Sequence, residues 1–69
     1  MSISYRKLFS LMQERGIKKS NLRNDYHINP KVINRLVHDR SVTTSSIIRL
    51  CEILDCQPGD IMEYVENNV

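Results

Sequence analysis

The dipeptide Asn29-Pro30 restricts this chain more than any other feature. Proline holds its own φ at about −65° and has no N–H to donate, so it suits the first turn of a helix and breaks a deeper one. Asparagine directly before it is a favoured cap, whose side-chain oxygen accepts from a free backbone N–H of that first turn. A helix therefore opens at Pro30 and is expected to run to about Val37. Ile33, Leu36 and Val37 form its inward stripe, and Lys31, Asn34 and Arg35 form a polar face.

The remaining apolar residues arrange themselves around that helix. Tyr5, Leu8, Phe9, Leu11 and Met12 recur at helical spacing, which predicts a first helix from about Tyr5 to Arg15, capped by Ser4 and closed by Gly16. Ile17 is expected to fold back onto it. Leu22 and Tyr26 make an i,i+4 pair on a second helix over roughly 19–26. After a loop over Asp39-Arg40-Ser41-Val42, Thr43 or Thr44 caps a fourth helix to about Leu54, with Ile47, Ile48, Leu50, Cys51 and Leu54 apolar. Gln57-Pro58-Gly59-Asp60 opens a short fifth helix carrying Ile61, Met62, Tyr64 and Val65, and Glu66-Asn67-Asn68-Val69 reads as a frayed tail. No β-alternation, repeat or interdomain linker is apparent. The fold expected is all-α, with five helices in one domain over residues 1–69.

Sixty-nine residues leave no room for a large enzyme with a deep cleft, and 41% hydrophobic residues suffice for one small core. Nothing approaches the roughly 18 apolar residues of a membrane span, and the N-terminus lacks the pattern of a secretory signal. Cys51 and Cys56 form no CxxC pair and no cluster with His, so a zinc site is not expected; they read as reduced thiols filling the core of a cytoplasmic protein. His27 and His38 stand at opposite ends of the helix opened by Pro30, so they do not converge on an acid–base site. Charge is segregated along the chain. Residues 15–40 hold seven bases against Asp25 and Asp39, whereas residues 41–69 hold Arg49 alone against five acids. One part of the surface can thus attract a polyanion while the rest does not.

Helices two and three are joined by the short turn His27-Ile28-Asn29. That is a helix-turn-helix pattern over about 19–37, whose second helix fits the major groove of DNA. The strings ERGIKKSNL, HINPKVINRLV and IIRLCEILDCQPGDIMEYV resemble the Cro/repressor-type regulators, the xenobiotic-response-element family, and within it the small single-domain Cro-like group of Gram-positive bacteria and mobile elements. The resemblance implies a lambda-repressor-like fold that binds operator DNA to control transcription, without cofactor, small-molecule effector or catalysis. The chain departs from the family pattern at Lys18 and Lys19, where a Ser/Thr cap and a Gln are usual, at Arg23 for a small residue, and at His27 for a turn glycine. His27 is thereby expected to adopt a left-handed backbone. Met12 and Val37 replace a family ion pair and are expected to make an apolar contact instead.

Within that frame Lys31 and Arg35 are the expected donors to guanine, Val32 packs on a thymine methyl, and Asn34 reads an adenine or holds a phosphate. Lys18 and Lys19 place positive charge at a helix N-terminus, against its dipole, a conflict that a bound phosphate would reverse. Ser20, Asn21, Asn29, Arg40, Ser41, Thr43 and Thr44 complete the expected backbone contacts, the two threonines serving first as caps. A homodimer on a two-fold operator would use Ile61, Tyr64 and Val65 as its seam. A helical protein-interaction module that reuses the fold without DNA is the competing expectation.

Overall fold

The computed structural model describes residues 2–66. In chain order it contains β1 (Ser2–Ser4), α1 (Arg6–Glu14), α2 (Lys19–Asn24), α3 (Pro30–Val37), α4 (Thr44–Leu54), a single 3-10 turn (Pro58–Asp60) and β2 (Glu63–Val65). Of the expected tail, residues 67–69 lie outside the described residues.

Each helix ends where its residues require it. At α1 the Ile17 N–H donates to the Met12 carbonyl (2.8 Å) and the Gly16 N–H to Gln13 (3.2 Å), with Gly16 at φ +68°. This is the two-bond Schellman closure, and it points Ile17 back at the core as expected. The end of α3 repeats it with Asp39 at φ +55°, Arg40 N–H donating to Arg35 and Asp39 N–H to Leu36. At α4 Asp55 is left-handed at φ +50°, and the Cys56 N–H reaches the Cys51 carbonyl. His27 adopts φ +56°, the left-handed turn conformation expected where the family has glycine. Asn29 Oδ1 accepts from the Lys31 N–H (2.9 Å), and Thr43 Oγ1 accepts from the Ser46 N–H (3.2 Å), so the caps of α3 and α4 form as expected.

Tyr5, Leu8, Met12, Leu22, Ile28, Leu36, Ile47, Leu50, Leu54 and Ile61 form one core. Leu36 anchors α3 in it and Leu22 anchors α2. Arg23, in the place of a small residue, points to solvent, so it does not obstruct the approach of the two helices.

Several sequence expectations are corrected. The first helix opens at Arg6, with Tyr5 as its cap position, because Ser4 belongs to β1; Ser4 Oγ still accepts from the Arg6 N–H (3.3 Å). The second helix stops at Asn24, before Tyr26, because the chain must turn at His27. Val37 is 41% exposed and outside the core that holds Met12, so it neither faces inward nor replaces the family ion pair by an apolar contact.

The fifth helix is replaced by one 3-10 turn and a strand. Asp60 Oδ2 accepts from the Gln57 N–H (2.9 Å) and closes the turn, and Ile61 then enters the core. Glu63–Val65 instead pairs antiparallel with Ser2–Ser4, in the register Ser2↔Val65, Ile3↔Tyr64 and Ser4↔Glu63. Among the described residues the architecture is four helices with a two-stranded sheet, not five helices. No helix of the described residues is long and apolar enough to cross a membrane.

Candidate nucleic-acid interface

The surface of α3 is polar by construction. Leu36 points inward, so residues on the opposite side of the helix face solvent, and Lys31, Asn34 and Arg35 are all exposed there. With Arg40 from the following loop they line one shallow concavity. Three cations and an amide thus converge, with no carboxylate among them. Arg35 has an additional restraint, because its Nη1 donates to the Ser41 carbonyl (3.3 Å). That bond uses one of five guanidinium donors and leaves the rest free.

The loop that carries Arg40 and Ser41 is held by a residue far away in sequence. Tyr5 Oη donates to the Arg40 carbonyl (2.9 Å), and the Tyr5 N–H donates to Asp39 Oδ1 (3.1 Å). Burial pushes the Tyr5 hydroxyl above its ordinary pKa, and the Asp39 carboxylate pushes it the same way. Tyr5 therefore stays a neutral donor and fixes the exit of α3. No spacing in the sequence links Tyr5 to Arg40, so the sequence marks Tyr5 only as part of the apolar stripe of the first helix.

The α2 side divides the expected backbone contacts. Lys18, Lys19 and Ser20 are exposed. The Lys19 ammonium lies 5.3 Å from the centroid of the Phe9 ring. Lys19, Ser20 and Arg23 of α2 share a second concavity with Pro30 and Ile33 of α3. Asn21 is different. Its Oδ1 accepts from the Lys18 N–H (2.8 Å) and its Nδ2 donates to Asp25 Oδ2 (2.8 Å), so both polar ends of the side chain already serve α2 itself. Lys18 sits at the cap position, where its ammonium can accept nothing, and Asn21 supplies the closure that the usual Ser or Thr would share.

On the other flank, Thr43 and Thr44 are exposed at the start of α4. Val32, Arg35, Ser41, Val42, Thr43 and Ser46 surround a third hollow, between α3 and α4. Asn29 is exposed and keeps its Oδ1 on the α3 cap. Of the expected dimer residues, Tyr64 is 58% exposed and Val65 half-buried, but Ile61 is fully buried in its own chain and has no surface to offer.

Cys51 and Cys56 are free thiols, half-buried against the core. Burial, followed by the neighbouring Cys51 thiol, pushes the Cys56 pKa up.

Two helices held at a tight turn, with the second offering an exposed, cation-rich face, define a helix-turn-helix DNA-binding domain. The sequence matches the family model of the Cro/C1-type HTH DNA-binding domain over residues 7–67, and the chain belongs to that family. It is similar to a crystal structure of the transcriptional regulator VanUg, with a TM-score of 0.88 and 30% sequence identity, covering 96% of this chain and 88% of that one. No curated protein sequence matches it.

Proposed function

We propose that this protein regulates transcription by binding a specific duplex DNA sequence with α3 in the major groove. The observation that carries the reading is the convergence of Lys31, Asn34, Arg35 and Arg40 on the exposed side of α3, in a chain of the Cro/C1-type family. The major groove is about 12 Å wide and admits a helix with its side chains. Arg35, restrained by the Ser41 carbonyl, donates two parallel bonds to a guanine, and Lys31 donates to a second acceptor edge. Val32 lies against a thymine methyl and Asn34 reads an adenine or holds a phosphate. Lys18, Lys19, Ser20, Asn21, Asn29, Arg40, Ser41, Thr43 and Thr44 grip the sugar–phosphate strands on either side, Asn21 through the second amide hydrogen beside its bond to Asp25.

Two copies engage a two-fold operator with half-sites about 34–36 Å apart, since one short helix reads few base pairs. Tyr64 and Val65 are the side chains available for that pairing, and the acidic C-terminal third keeps the remaining surface from binding DNA indiscriminately.

Selection of bound duplexes from a random pool tests the reading. A recurring motif with two-fold symmetry is the expected product. Arg35→Ala then relaxes the preference at one base pair, at a cost of about 1–3 kcal/mol. Lys19→Ala weakens cognate and random duplex alike and lowers the salt dependence by roughly one phosphate contact. Retention of no duplex at low salt overturns the proposal.

A further inference from the structure

The two free thiols take no part in the face on α3, yet the end of α4 brings them together. Asp55 turns left-handed, and the Cys56 N–H then donates to the Cys51 carbonyl at 3.1 Å. This is the long bond of a Schellman closure, which commonly sets the side chains of its two residues against each other. Cys56 lies against the Cys51 thiol, and the Arg15 guanidinium, which donates to the Leu54 carbonyl, is close by. The two Cα atoms stand one covalent bond from that nitrogen and two from that oxygen, so they fall within the roughly 4.4–6.8 Å that a disulfide spans. Cys56 also opens to solvent. It lines a concavity of about 450 Å³ between α1 and the 3-10 turn, which shares no residue with the hollows around α3.

We infer that Cys51 and Cys56 form a dithiol site, which a low-molecular-weight disulfide oxidises to an internal disulfide across the last turn of α4. The exchange balances in two steps. The Cys56 thiolate attacks one sulfur of the reagent, forming a mixed disulfide and expelling one thiolate. The Cys51 thiolate then attacks the Cys56 sulfur, closing the bridge and expelling the second thiolate. The protein gives up two electrons, the reagent's disulfide is reduced, and the two thiol protons end on its two thiolates. Entry is through Cys56, because it alone of the pair lines the concavity. Burial, the Cys51 thiol and the Asp60 carboxylate hold the proton on Cys56, and Arg15 opposes them. Arg6, Lys7, Glu14 and Asp55 complete the charged surroundings. The first step is therefore slow at neutral pH and quickens as pH rises. The second is intramolecular, since the fold already holds one thiol beside the other.

The test uses the full chain and glutathione disulfide at about pH 8.5, near the ordinary thiol pKa. Mass spectrometry is expected to show the loss of two hydrogens and no lasting adduct. Titration against glutathione mixtures then compares the folded chain with the chain in urea, and the folded chain should favour the bridge by about tenfold more. By linkage the bridge favours the folded chain by the same factor, so oxidation raises the melting temperature by several degrees. Cys51→Ala should stop at a stable mixed disulfide on Cys56, and Cys56→Ala should react more slowly. A mixed disulfide that persists in the wild type overturns the site. So does a folded chain that favours the bridge no more than the unfolded one, or that stays reduced where the unfolded chain is oxidised. If Cys56→Ala reacts as fast as Cys51→Ala, entry through Cys56 is overturned. The wild-type measurements decide the site even where an alanine variant unfolds.

Discussion

Three single residues carry strain at helix ends, and they are not equivalent. His27, Asp39 and Asp55 all adopt positive φ without being glycine. The left-handed conformation costs an L-residue about 1–2 kcal/mol, whereas glycine adopts it freely but loses about 0.5–1 kcal/mol more entropy on folding. His27→Gly is thus expected to stabilise the protein by about 0.5–1 kcal/mol, seen as a higher melting temperature. Asp39→Gly should bring no such gain, because it also removes the carboxylate that accepts the Tyr5 N–H. Tyr5 itself gives a pH signature. Its folded pKa lies above the ordinary 10.0, so folding favours the protonated hydroxyl. That contribution is complete below the unfolded pKa and is lost as pH rises above about 10 through the higher folded value. Denaturation of the wild type against Tyr5→Phe across that range should show the alkaline decline reduced in the variant, with about 1 kcal/mol lost at neutral pH from the missing hydrogen bond to Arg40.

Elements are bounded by the chemistry of their ends. Gly16 closes α1 at φ +68°, and a Cβ added there would meet nothing within 4 Å. Gly16→Ala is therefore expected to cost about 1–2 kcal/mol through the backbone alone, and equilibrium denaturation should register it without any change in the core. Local chemistry of this kind is what a sequence states openly. Asn29-Pro30 marks the start of α3 and Gly16 the end of α1, and both lie where they were read. The strands were not legible because three residues are too few for a period of two to emerge, and because Ser2–Ser4 gains meaning only from a partner about sixty residues away. The apparent helix after Pro58 carried correct local signals for a turn but nothing to say that Ile61 would leave it for the core. The cations of the interface were legible from their spacing. The contacts of Tyr5 were not, since they join the start of the chain to the loop after α3.

Whole-molecule stability is small, and α3 shares it. A chain of this length is worth roughly 3–10 kcal/mol at 0.05–0.15 kcal/mol per residue. Leu36→Ala empties a fully buried position on α3 and is expected to cost about 2–5 kcal/mol. Loss of DNA binding in that variant should therefore track the unfolded fraction measured by circular dichroism, and added salt should not discriminate it from the wild type. Arg35→Ala removes an exposed side chain and should leave the melting curve almost unchanged, which separates a contact from a support.

Tyr5 sits at the junction where β1 hands over to α1, and its two hydrogen bonds reach the loop that follows α3. The paired ends of the described chain and the loop after α3 are consequently parts of one mechanical linkage. Tension that peels the first strand from its mate travels one residue before it reaches the anchor, and slackening that anchor frees Arg40 and Ser41 together. Removing residues 2–4 should then lower operator affinity by more than the drop in melting temperature explains, with dissociation quickened before the core gives way.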